Sequence, residues 1–179
     1  MFLVIAIEKL LKNDDLQKYK PSLIVVQGDT TSALGGALAS FYNHIPVAHV
    51  EAGLRTNSIT EPFPEECNRR LISQIASLHF APTNKSYEIL KKSKVEGNIY
   101  MTGNTVIDAL KYVIDNNLYS NDNLQLEDKK YILATVHRRE NWGDNLNNIC
   151  RAFKELINQN RDFNLLLPLH PNKIVSKPI

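Results

Sequence analysis

Short apolar runs alternate with amphipathic stretches along most of this 179-residue chain. Residues 23–27 (Leu-Ile-Val-Val-Gln) are β-branched and apolar on both faces, the pattern of a central parallel strand. A small-residue helix is expected from Ala33 to about Tyr42, and a second buried strand at Ile45-Pro46-Val47-Ala48, running to a carboxylate at Glu51. Gly53 then lets the chain turn away. Further on, the pattern predicts a helix over residues 64–75 led by Pro64, a strand over 78–82, and a helix over 85–92 capped by Asn84. A strand over 98–102 and a helix over 106–116 complete this region. Residues 1–12 read as a helix with Leu3, Ile7, Leu10 and Leu11 on one face, apolar enough to need a sheet to cover.

From residue 117 to 129 the composition turns polar and acidic, which marks a linker. A new βαβ unit follows: a strand over 131–136, a polar loop over 137–143, a helix over 146–158 and a strand over 163–169. Strands alternating with helices predict an α/β protein with Rossmann-like, doubly wound parallel sheets. The expected division is residues 1–116, a linker at 117–129, and a second unit at 130–179. Two strands are too few to close a core, and the chain opens on a helix with no strand before it. The expectation is a piece of a longer protein.

Composition narrows the function. Hydrophobic content of 43% and charged content of 22% are those of an ordinary globular protein. A net charge of +2 gives no reason to expect nucleic acid or a membrane surface as partner. Cys67 and Cys150 lack CxxC spacing and read as core thiols. The apolar start, Met1 to Ile7, has neither a basic leader nor a cleavage site, and no apolar run approaches the roughly 18 residues of a membrane span. A cytoplasmic location is expected.

The candidate chemistry lies at strand ends, where open α/β sheets bind ligands. Asp29 follows one strand, Glu51 closes the next, Glu65 opens the following helix, and His137 closes the first strand of the second unit. Neighbouring parallel strands lie about 4.8 Å apart, so Asp29 and Glu51 can share a crevice. Several carboxylates in one cleft raise some of their pKa values, so that one holds a proton while another removes one. That suits proton abstraction and return at carbon. His137, Arg138 and Arg139 suit a phosphate or pyrophosphate. Each residue also has a plainer role open to it: Asp29 as helix cap, Glu51 as capping acid beside a surface Arg55, Glu65 as a first-turn acid, His137 as a turn residue. His49 and Glu51 alternate along a strand, but a third metal ligand is not evident, and no metal is expected. His44 and His79 read as structural.

Six motifs follow one another along the chain. The first three are Val26-Gln27-Gly28-Asp29-Thr30-Thr31-Ser32, His49-Val50-Glu51-Ala52-Gly53-Leu54-Arg55-Thr56 and Pro62-Phe63-Pro64-Glu65-Glu66-Cys67-Asn68-Arg69. The other three begin at Thr102-Gly103-Asn104, His137-Arg138-Arg139-Glu140-Asn141 and Pro168-Leu169-His170-Pro171-Asn172. In this order they resemble the non-hydrolysing UDP-N-acetylglucosamine 2-epimerase family. The resemblance implies a two-domain fold of the glycosyltransferase-B type, incomplete here, with UDP-sugar held between the domains. It implies interconversion of UDP-GlcNAc and UDP-ManNAc, by elimination of UDP to a 2-acetamidoglucal and its re-addition, feeding cell-surface polysaccharide synthesis. Neither metal nor redox cofactor is implied, and full-length members are homodimers. By matching position, Asp29, Glu51 and Glu65 fall on the acid/base carboxylates, and His137 on the histidine near the departing pyrophosphate. The spacing of Arg69 from Glu65 points to an ion pair that holds the carboxylates. Arg138 and His170 are candidates for an activating second UDP-sugar. Set against that family, the sequence is expected to represent about half a member, without the Gly-rich turn in front and the uridine-binding segments behind. A non-enzymatic remnant, a half that pairs with a separate chain, and a hydrolysing 2-epimerase are the alternatives.

Overall fold

The computed structural model describes residues 18–119, 128–136, 138 and 141–169. The expected helix over residues 1–12 and most of the expected linker lie outside them. The chain divides into two compact units that part between Leu118 and Tyr119.

In the first unit, strands β1 (Ile24–Gln27), β2 (Val47–Val50), β3 (Leu78–Ala81) and β4 (Asn98–Met101) form one parallel sheet in the order β1-β2-β3-β4. Their connections are α1 (Thr31–Tyr42), α2 (Glu65–Ile75) and α3 (Asn84–Lys92), and α4 (Thr105–Asp115) follows β4. Gln27, Val50, Phe80 and Tyr100 pair across the sheet, so all four strands end level. That alignment gathers the four post-strand turns at one edge.

The core lies between the sheet and the first two helices. Val26 and Val47 project into it and meet Ala33, Leu34 and Ala37 of α1, Ile72 of α2, and Ala76. Small residues let α1 lie close to β1: a Cβ on Gly36 would stand 3.4 Å from Val26 Cγ1. A second cluster joins Ala52, Ala81 and Leu90. The opposite face is more open, with Val25 61% exposed and Tyr100 48% exposed. The pattern of β1 suits a central strand, yet among the described residues it stands at the sheet edge.

One expected cap and one alternative role give way to neighbouring threonines. Thr30, not Asp29, caps α1, its Oγ1 accepting from Ala33 N at 3.1 Å. Thr83, not Asn84, caps α3, accepting from Ser86 N. In both cases the threonine sits one position ahead of the first helical residue, where its oxygen reaches the third amide beyond. The capping role once open to Asp29 is therefore taken by its neighbour.

The second unit is a βαβ motif: β5 (Lys130–Leu133), α5 (Asp144–Gln159) and β6 (Phe163–Leu166), with β5 and β6 parallel. Both strands are shorter than the apolar runs that predict them. Among the described residues no helix is long and apolar enough to cross a membrane.

Candidate functional site

Four turns meet at the carboxyl edge of the sheet. After β1 the chain passes through Gly28 at φ +68° into Asp29. Gly28 N donates to Val50 O, which ties this turn to the end of β2. After β2, Glu51 adopts φ +64°. A left-handed glutamate is uncommon and costs conformational energy that the surroundings must offset. Ala52 N donates to Phe80 O, and buried Ala52 packs on Ala81 and Leu90, so the turn is held from both sides. The strand alternation that would put His49 and Glu51 on one face ends at Val50.

Glu51 comes round toward β1: its Oε2 lies 3.7 Å from where a Cβ on Gly28 would be. Among the described residues it caps no helix and forms no ion pair with Arg55. Arg55 is half-buried, donating to Leu54 O and to Ser73 Oγ at 2.8 Å each. Asp29 and Glu51 thus flank the same glycine.

Helix α2 supplies the third side. Glu65 is half-buried in its first turn and close enough to raise the pKa of Asp29. Burial is the main cause of that rise; Arg69 opposes it, while Glu65 and Glu66 add to it. A carboxyl that holds its proton more tightly than usual beside two further acids is the combination acid/base chemistry at carbon requires. Asn68 anchors the turn from below, its Nδ2 donating to the Asp29 carbonyl at 2.8 Å.

Arg69 binds differently from the expectation based on spacing. Its Nη1 reaches Asp29 Oδ2 at 3.1 Å, but its Nε donates to Glu66 Oε2 at 2.7 Å, not to Glu65. Both i,i+3 and i,i+4 neighbours lie on one side of a helix. Here the buried side carries Glu66, with Asn68 and Arg69, and Glu65 stands one position round toward the crevice.

His49, which the sequence brings up only as half of a metal-ligand pair with no third member, has a different role in the structure. It is fully buried, and its Nε2 donates to Gly28 O at 2.8 Å while Nδ1 has no partner among the described residues. The ring therefore supports the Gly28–Asp29 turn from beneath. Burial lowers its pKa to about 4, so it stays neutral. The only sequence signal was a histidine two residues before the strand-end glutamate.

Stability should follow. Between pH 6.5 and about 4 the unfolded chain binds a proton on His49 that the folded chain does not, so stability falls as pH drops through that window. The loss is on the order of 3 kcal/mol. His79, buried and donating to Glu96 O at 2.9 Å, also has a lowered pKa and acts in the same direction, while the raised pKa of Asp29 opposes it. Urea melts from pH 7 to 4.5 should show declining stability, and His49→Gln should flatten that decline.

Arg138, in the second unit, is exposed. His137 and His170 lie outside the described residues. The structure thus brings together Asp29, Glu51, Glu65 and Arg69, all within the first unit.

A parallel α/β sheet with carboxylates gathered at its carboxyl edge defines the class: an α/β protein with polar groups where open sheets of this kind bind ligands. Comparison with known proteins narrows this. The family model described as UDP-N-acetylglucosamine 2-epimerase matches residues 4–179. A UDP-N-acetylglucosamine 2-epimerase of Campylobacter jejuni is 44% identical over 182 residues, covering 92% of this chain and 46% of that protein. The S. aureus MnaA–UDP structure superposes with a TM-score of 0.89 at 42% identity, covering 99% of this chain and 48% of that one. The Neisseria meningitidis UDP-GlcNAc 2-epimerase bound to UDP-GlcNAc gives 0.87 at 40% identity, covering 99% and 50%. The chain belongs to the UDP-N-acetylglucosamine 2-epimerase family, and its parallel α/β units match parts of structures that are glycosyltransferase-B-like. It spans about half the length of the relatives it matches.

Proposed function

We propose that this chain carries the acid/base half of a non-hydrolysing UDP-N-acetylglucosamine 2-epimerase, which interconverts UDP-GlcNAc and UDP-ManNAc. The observation that carries the reading is that Glu51 reaches over Gly28 beside Asp29, with Glu65 near enough to act on Asp29, the carboxyl that burial biases toward its protonated form. Similarity to proteins solved with UDP and with UDP-GlcNAc supports the choice of ligand.

The C2 proton of the sugar is not acidic, so removing it requires a base on one face, an acid on the other, and stabilisation of the departing diphosphate. In this reading, Asp29, Glu51 and Glu65 exchange the C2 proton as UDP leaves and returns. His137 serves the leaving diphosphate. Arg69 binds on the substrate side through Asp29, and Arg138 and His170 serve a second, activating UDP-sugar. The domain division at residues 117–129, a cytoplasmic location and a homodimer in the full-length protein belong to the same reading.

The test is turnover of UDP-GlcNAc in D₂O, followed by proton NMR. Deuterium at C2 with accumulating UDP-ManNAc is the expected result. Free ManNAc with UDP would instead mark a hydrolysing enzyme. No exchange, from a sample whose circular dichroism shows folded α/β structure, would leave the carboxylates as scaffold in this chain.

A further inference from the structure

Glu66 is fully buried, yet it is a carboxylate with three donors. Its Oε2 accepts from Arg69 Nε at 2.7 Å and from Thr56 N at 3.0 Å, and its Oε1 accepts from Arg70 Nε at 2.6 Å. Burial alone would raise its pKa, but the bonds from Arg70, Thr56 and Arg69 outweigh burial and hold it below the ordinary value. The three partners lead to two separate parts of the site. Arg69 continues to Asp29 Oδ2 at 3.1 Å. Thr56 ends the segment that starts at Glu51, and Arg70 returns to the same place through Nη2, which donates to Thr56 O at 3.0 Å.

We propose that Glu66 is a positioning residue: it holds Arg69 against Asp29 and, through Thr56, fixes the segment that begins at Glu51. One buried carboxylate thereby sets the geometry of two candidate acid/base groups that it does not touch. The catalytic meaning of this rests on the role proposed for Asp29 and Glu51, whereas the positioning itself is a property of the fold. Glu65 cannot substitute for it, because Glu65 is only half-buried and has no ion pair among the described residues.

The charged and titratable groups around Asp29 are Arg69, Glu65 and Glu66 from α2, Glu51 from the turn after β2, and neutral His49 beneath Gly28. Glu66 therefore acts on Asp29 in two ways of opposite sign. Its own charge raises the Asp29 pKa through space, and its hold on Arg69 lowers it. These separate in Glu66→Gln. Were the charge all that mattered, the substitution would lower the Asp29 pKa. With positioning dominant, Arg69 is released and the pKa rises.

The experiment is a carbon-13 NMR titration of the Asp29 side-chain carboxyl in the 179-residue chain. Wild type, Glu66→Gln, Arg69→Met and the double variant are compared, each checked for folding by circular dichroism. Arg69→Met should raise the Asp29 pKa by about one unit. Glu66→Gln should move it in the same direction, and the double variant should go no further than Arg69→Met alone. A fall, no change, or simple additivity in the double variant overturns the proposal. Should Glu66→Gln not fold, wild type alone decides. The Arg69 Nε proton should exchange slowly with water and couple across the hydrogen bond to the Glu66 carboxyl carbon. Fast exchange without coupling overturns the proposal. None of these measurements requires turnover, so an inactive chain would weigh against the proposed function and leave this result standing.

Discussion

Gly53→Ala is expected to lower the melting temperature by on the order of 10 °C or more, and to displace the turn that carries Glu51. Two costs add. Gly53 sits at φ +90°, where an L-residue is strained by about 1–2 kcal/mol. A Cβ there would also run into the carbonyl oxygen of Ser86 and stand 2.9 Å from Leu90 Cγ. The first of these neighbours is backbone, and the second is a fully buried side chain, so neither can give way cheaply. Together the two costs amount to about 2–5 kcal/mol, a large part of an ordinary domain's stability. Gly103→Ala is the control, because Gly103 has a similar φ of +83° but nothing within 4 Å of its would-be Cβ. Thermal melts of both variants check the expectation. Equal melting temperatures would mean that close approach at Gly53 does not matter.

Asp29→Asn should reduce C2 deuterium exchange by about 10²–10⁴-fold while leaving the fold intact. The amide keeps the shape of the carboxyl and can still accept from Arg69, so the turn is held as before. It cannot take or release the proton. Stability should change little, because burial already disfavours the charged form of Asp29 and Asn removes that charge. Exchange measured by NMR, beside a melting curve of the same sample, separates the two effects. A variant that exchanges within threefold of wild type removes Asp29 from proton transfer. A variant that melts well below wild type would mean the Asp29–Arg69 pair matters more to the fold than to chemistry.

Much of this protein could be read along the chain. The strand at Ile24–Gln27, the small-residue helix after it and the strand reaching Val50 each carry a periodicity that a parallel α/β sheet demands. The strand-end placement of Asp29 and Glu51 follows from the same reading, because polar residues that directly follow an apolar run must emerge at the sheet edge. The motif order pointed to the family to which the chain belongs. Finer detail was not legible. Thr30 and Thr83, not their neighbours, cap their helices, because Asp29 and Thr30, or Thr83 and Asn84, are equally suitable in composition, and only backbone geometry chooses between them.

What the chain order determined by itself was the alternation of strands and helices, the level at which carboxylates leave the sheet, and the family. Those depend on local pattern and on spacing within one element. What the tertiary structure decided was partnership. Arg69 lies within a helical turn of both Glu65 and Glu66, and the choice of Glu66 follows from which side of α2 faces the core. Similarly, His49 became the support of the Gly28 carbonyl only when β1 and β2 were paired in register, across 21 residues of chain. Sequence spacing specifies which groups can meet along one element. Which groups meet between elements is determined by packing, because burial leaves a charged or polar group only the partners that the neighbouring element brings to it.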